Sequence, residues 1–69
     1  MAELFKRGER VEWSFRGRPV RGRVRRRLTA RTTVGGQVAA ATPEDPRYLL
    51  RTESGKETVR RGAALRRLG

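Results

Sequence analysis

Residues 16–28 read Arg-Gly-Arg-Pro-Val-Arg-Gly-Arg-Val-Arg-Arg-Arg-Leu. At a period of two, Val20, Gly22, Val24 and Leu28 fall on one side, and Arg21, Arg23, Arg25 and Arg27 fall on the other. Alternation over this length is the signature of a β-strand with one buried face. A helix of the same sequence would spread the arginines around its circumference. The stretch therefore predicts a strand over Val20–Leu28 whose solvent face is a row of guanidinium groups. Arg26 has inward parity, so a bulge or sharp bend is expected between Val24 and Arg27 to turn it out.

The other strands follow from the same pattern. Arg10–Phe15 alternates, with Val11, Trp13 and Phe15 on one face and Arg10, Glu12 and Ser14 on the other. Arg16–Pro19 forms a loop. Pro19 suits the start of a strand because it donates no ladder hydrogen bond. Thr29–Gly36 is a Thr-rich connection ending in a Gly35-Gly36 turn. Gln37–Ala41 is a weak strand, and Thr42–Pro46 is an acidic loop that its two prolines bar from regular structure. Tyr48–Thr52 and Glu57–Arg60 form strands joined by a turn at Glu53–Lys56. Ala63–Leu68 is one helical or 3₁₀ turn. Met1–Lys6 is a short lead-in, with Leu4 and Phe5 capping a barrel end. The expected core is Phe5, Val11, Trp13, Val20, Val24, Leu28, Val38, Leu50, Val59 and Leu65. Five short strands and tight turns, with one C-terminal helical turn, predict an all-β fold, a small barrel occupying residues 1–69 as one domain.

Charge narrows the function. The chain carries 18 Lys plus Arg against 7 Asp plus Glu, for a net charge of +11 in 69 residues. All but Lys6 and Lys56 of these cations are arginines, which bind phosphate bidentately and stack on bases. A GC-rich coding bias accounts for Arg replacing Lys, but not for the excess of base over acid. No acid lies between Glu12 and Glu44, so the charge is concentrated on the second strand and its flanks. Clustered basic charge is the footprint of a nucleic-acid-binding surface. Arg16, Arg18, Arg21, Arg23, Arg25 and Arg27 are the expected phosphate contacts, with Glu12, Glu53 or Glu57 neutralising one or two of them across strands.

Among the aromatics, Trp13 is assigned to the core, while Phe15 and Tyr48 are candidates for stacking on a base. A methyl-cation cage needs more aromatics than remain, and a cationic surface repels such a ligand. The C-terminal pairs Arg60-Arg61 and Arg66-Arg67 extend the patch if the barrel brings them near; a solvated helical turn is the expected setting of Arg66 and Arg67. Glu44-Asp45 is read as a turn and not as a metal or acid–base pair.

The chain has no Cys, and its composition shows no His. Thiolate metal sites, disulfides and the commonest general base are therefore excluded. Neither an enzyme nor a cofactor or metal is expected. No apolar run reaches membrane-span length, and Met1–Arg10 lacks a signal-peptide core. The matching expectation is a cytoplasmic protein, drawn to the nucleoid by its charge, with nucleic acid as partner, DNA ahead of RNA. The alternative partner is an acidic or phosphorylated protein; neither a membrane nor a small-molecule substrate is expected.

Three blocks also resemble a known family. Phe5-Lys6-Arg7-Gly8-Glu9-Arg10-Val11-Glu12-Trp13 is similar to the F-x-x-G-x-x-V-x-W opening of the hypervirulence-associated Tudor-like domain family. Gly22-Arg23-Val24 resembles its G-x-V second strand. Ala41-Thr42-Pro43-Glu44-Asp45-Pro46-Arg47-Tyr48-Leu49-Leu50 resembles its A-S/T-x-E-D-x-P-x-Y-L block, with the Asp45–Pro46 spacing shortened. Gly55-Lys56 and Ala63–Leu68 fit as well. The resemblance implies an SH3-like, Tudor-type five-stranded barrel and leaves the activity open, since fold alone does not supply function.

Overall fold

A computed structural model of the chain describes residues 4–68. Residues 1–3 of the expected lead-in, and residue 69, lie outside it. The described chain is all-β, with strands β1 (Arg10–Phe15), β2 (Arg18–Leu28), β3 (Thr32–Val34), β4 (Gln37–Ala39), β5 (Arg47–Thr52), β6 (Glu57–Arg61) and β7 (Arg66–Arg67). A 3₁₀ turn at Gly62–Ala64 joins β6 to β7. Five strands form one antiparallel sheet in the order β6-β5-β2-β1-β7, and β3 and β4 form a separate hairpin.

Chain connectivity rolls this sheet up. Its two outer strands, β6 and β7, are separated by only Gly62–Leu65. Four inter-strand spacings in a flat sheet would set these strands ~19 Å apart. The five steps from Arg61 to Arg66 reach at most ~18 Å when fully extended, and less through a 3₁₀ turn. The edges must therefore curl toward one another, and the 3₁₀ turn spans the gap. This is the expected SH3-like, Tudor-type barrel.

The bulge on β2 is present and has a consequence that alternation does not show. Val24 stands opposite Leu50 and Arg26 opposite Leu49, which leaves Arg25 as the extra residue. Directly opposed residues share a face, so every β2 side chain after Arg25 changes sides. Arg26 turns outward, as expected. Leu28 does not share a cluster with Val24, contrary to the alternation. Val24 packs with Phe5, Val11, Trp13, Tyr48, Leu50 and Leu65 inside the barrel. Leu28 packs with Ala39 and Ala41, against Val34, Leu49 and Val59, under the β3–β4 hairpin. The bulge is held from the N-terminal side, where Gly8 N–H donates to Val24 O (2.7 Å) and Val24 N–H donates to Glu9 O (3.0 Å).

Other expectations are corrected. Val38 is 54% exposed and is no core residue, because β4 turns the small side chain of Ala39 inward instead. The Thr-rich connection contains a strand, β3, paired with β4 across the Gly35-Gly36 turn. Arg66 and Arg67 are not in a helical turn. They form β7, opposite Glu12 and Val11, where glutamates on β1 and before it hold both side chains.

Gly22 on β2 has no room for a side chain. A Cβ there would lie 2.3 Å from the Arg51 carbonyl oxygen and 2.9 Å from Cη2 of Trp13. Only hydrogen fits, so the glycine lets both the β5 backbone and the Trp13 ring close on β2. At the β1–β2 hairpin, Arg16 and Gly17 both have positive φ (53° and 78°). Their two-residue turn matches the twist of the strands, with a residue other than glycine at its first position.

Candidate nucleic-acid interface

The outer face of the sheet carries two cross-strand rows of charge, and they are built differently. In the first row, Glu12 on β1 lies between Arg21 on β2 and Arg66 on β7. Arg21 Nε donates to Glu12 Oε2 at 3.0 Å, and Arg66 Nη2 donates to Oε1 of the same carboxylate. These contacts, with the Arg21 hydrogen bond foremost, hold the Glu12 carboxyl below the usual carboxylate range. The row holds one acid between two bases, so most of its charge is offset from within, and Arg21 is partly spent on Glu12.

The next row is Arg10 on β1, Arg23 on β2 and Arg51 on β5, each directly opposite the next. Like charges in such positions repel. Among the described residues, none of the three has a carboxylate partner. Glu57 stands opposite Arg51 on β6 without an ion pair. Arg23 Nη1 donates to Gly8 O at 3.1 Å, which orients the guanidinium and leaves its other N–H groups free to reach outward. Arg25, released by the bulge, joins the row. Together Arg10, Arg23, Arg25 and Arg51 line a shallow concavity of about 320 Å³, with Glu53 as its one acid.

Arg25 also lines a second concavity of about 590 Å³ with Lys6, Arg7, Arg26 and Arg27, beside Phe5 and Leu49. No acid lines this one. The bulge residue thus joins two basic hollows into one track, and a straight strand would have aimed Arg25 and Arg27 along a single line.

The expected arginine row is therefore regrouped. Arg23 and Arg25 lie in the track, and Arg27 reaches it from the far side of the bulge, opposite Tyr48. Arg21 is tied to Glu12. Arg16 and Arg18 sit at the hairpin end, well away along the strand, where the Arg16 guanidinium lies 5.3 Å from the Phe15 ring centroid. Arg10 and Arg51 were absent from the expected set. Their strands were legible, but only the register places them beside Arg23.

The two aromatic candidates separate cleanly. Tyr48 is fully buried and cannot touch a ligand. Its ring meets Phe5 edge to face at 5.4 Å, and its hydroxyl accepts the Phe5 backbone N–H at 3.2 Å. Phe15 is 48% exposed, with the Arg16 and Arg60 guanidiniums 5.3 and 5.8 Å from its centroid. Arg60 is anchored there by donating to Thr58 Oγ1 (2.9 Å) and Val59 O (2.8 Å). Trp13 is buried in the barrel core.

Glu44-Asp45 forms a turn, closed by Asp45 N–H to Thr42 Oγ1 at 3.0 Å. The Asp45 carboxylate is clamped by Arg61 (2.8 Å) and Arg47 (2.9 Å), which lower its pKa to about 2. These contacts engage the acid structurally. Among the described residues, no cluster of three His, Cys, Asp or Glu side chains is placed to hold a metal ion.

No curated protein and no solved structure matches the chain. The family model described as the TUDOR domain of hypervirulence associated proteins matches residues 8–65, from the glycine before β1 to the buried Leu65 that ends the 3₁₀ turn. The match spans β1 to β6 and the 3₁₀ turn, most of the sequence, and this chain belongs to the hypervirulence-associated Tudor domain family, as a small Tudor-like binding module.

Proposed function

We propose that this domain binds nucleic acid through backbone phosphates along the track that Arg25 joins, with little sequence preference. The observation that carries the reading is the Arg10–Arg23–Arg51 row, three opposed cations without a carboxylate partner among the described residues, continuous with a second acid-free basic hollow. Contacts to phosphate position a protein without reading sequence. DNA is the proposed form of the ligand. Phe15, held between two guanidiniums at the hairpin end, is proposed to stack on an unpaired base where a strand opens.

Fluorescence anisotropy with labelled duplex DNA, single-stranded DNA and structured RNA across a salt series tests this. Neutralising about five phosphates gives a log-log slope of roughly −4 to −5 on duplex DNA. Replacing Arg10, Arg25 and Arg27 by Gln should weaken all sequences alike and flatten the slope by about one for each arginine lost from a phosphate. Unchanged affinity in the triple variant would refute the surface. Weak, salt-insensitive binding to all three ligands would reassign it to an acidic protein partner.

A further inference from the structure

We infer that the hollow over the cross-strand row is a discrete site for clustered phosphates, a linear di- or triphosphate group, rather than only one segment of a uniform backbone track. The inference rests on the proposed phosphate-binding role of the same surface and adds a ligand class to it.

The argument is one of charge density. Arg10, Arg23 and Arg51 occupy adjacent strands, so the row crosses only two inter-strand spacings, ~9.5 Å. Arg25 joins from the bulge, and the four arginines line one hollow of about 320 Å³. A sheet that needed only to follow a nucleic-acid strand would string its cations along the strand direction. Here they converge across it. A nucleic-acid backbone brings a single negative charge with each phosphate, spaced by a whole nucleotide, so about two phosphates occupy this footprint. Four guanidiniums against one carboxylate, Glu53, leave the lining at +3. A chain of directly linked phosphates supplies a comparable charge within the same width. Its oxygens also suit the paired N–H donors of several planar guanidiniums at once.

The neighbouring row shows the alternative that the protein uses elsewhere. Glu12 sits between Arg21 and Arg66 and pairs with both, so that row holds a single net positive charge against three in the row of arginines. One strand pair further along, Arg23 holds the equivalent central position with an arginine on each side. The central acid of one row is replaced by a central base in the next, and an external polyanion completes the second as Glu12 completes the first. Arg23 is pre-oriented by Gly8 O, which lowers the entropy lost when its remaining donors bind.

The test is isothermal titration of the full chain at constant ionic strength with inorganic tripolyphosphate and, separately, with orthophosphate. Wild type, Arg51→Gln and Arg31→Gln are compared. Both arginines are exposed and each change removes one positive charge, but Arg31 lies outside the hollow. Expected are one tripolyphosphate per chain, binding at least about tenfold tighter than orthophosphate, a loss of about tenfold in Arg51→Gln, and less than about twofold in Arg31→Gln. Equal losses in the two variants, or no stoichiometric binding, would overturn the site.

RNA oligonucleotides of one sequence bearing a 5′-triphosphate or a 5′-hydroxyl distinguish the sources. Tighter binding of the triphosphorylated oligonucleotide than of its 5′-hydroxyl counterpart, a difference lost in Arg51→Gln, assigns the group to a nucleic-acid terminus. Equal binding of the two oligonucleotides, with tripolyphosphate bound, assigns it to a soluble polyphosphate. The 5′-hydroxyl oligonucleotide reads backbone binding alone, so its failure counts against the proposed function, while the tripolyphosphate arm reads this site.

Discussion

Gly22→Ala should remove about half of the stability of this domain, through a collision whose size follows from the geometry. The added methyl would sit 2.3 Å from the Arg51 carbonyl oxygen, whereas ordinary contact begins at 3.4 Å. Relieving it requires β2 and β5 to part by about 1 Å, which stretches ladder hydrogen bonds near 2.9 Å beyond the ~3.2 Å at which they hold well. Two such bonds contribute ~0.5–1.5 kcal/mol each. Overpacking against a filled core, here the Trp13 ring at 2.9 Å, costs ~1–3 kcal/mol more. A loss near ~3 kcal/mol compares with a total of ~3–10 kcal/mol expected for a domain of this size, and it lowers Tm by ~12–24 °C. Urea denaturation followed by the fluorescence of Trp13, the sole tryptophan, measures this directly. Gly17→Ala is the internal control. Its Cβ meets nothing within 4 Å, but its φ is +78°, so it should lose only the ~1–2 kcal/mol of left-handed strain. If Gly22→Ala proved no more destabilising than Gly17→Ala, the close approach of β5 and Trp13 to Gly22 would be wrong.

Three further outcomes follow. Asp45→Asn should flatten the acid limb of the stability profile: the folded-state pKa of Asp45 is depressed from 3.8 to about 2 by Arg61 and Arg47, so its contribution is complete above pH ~4 and is lost as pH falls through 2. Tm measured from pH 5 to pH 2 should fall less steeply in the variant, and the residual slope belongs to Glu9 and Glu12, whose pKa values are also lowered. Tyr48→Phe should cost about 1–2 kcal/mol in urea denaturation by leaving the Phe5 N–H without its acceptor, yet leave nucleic-acid affinity unchanged; a change in affinity at equal folding would return Tyr48 to the ligand surface. Phe15→Ala should weaken single-stranded DNA binding by at least about fivefold, from the ~1–3 kcal/mol of one stacked base, while sparing duplex DNA. Equal effects on both ligands in anisotropy titrations would remove Phe15 from a stacking role.

Local pattern carried most of the strands in this chain. The alternation of Val11, Trp13 and Phe15, and of Val20, Gly22 and Val24, has a period set by the pleat itself, so it can be read without knowing any neighbour. β1 matches its expected bounds, and β2, β5 and β6 differ from theirs by one or two residues at an end. The need for a bulge was also legible, because Arg26 carries the wrong parity for a buried face. Acid-free charge between Glu12 and Glu44 marked β2 as the basic element for the same local reason.

What only the tertiary structure decided is which distant residues meet. The position of the extra residue at Arg25 sends Val24 and Leu28 to different cores, and alternation cannot show this because it counts along one strand. Strand β7 is two residues long, and its pairing with β1 draws on contacts more than fifty positions away in sequence. Above all, Arg10 and Arg51 join Arg23 only because three strands align in a particular register. Register is settled by the summed packing of both faces and by the turns, and neither is a property of the residues that end up side by side. The sequence by itself determined that this domain has a cationic sheet; the fold decided which cations converge and which, like Arg21, Arg61 and Arg66, are paired with a carboxylate from within.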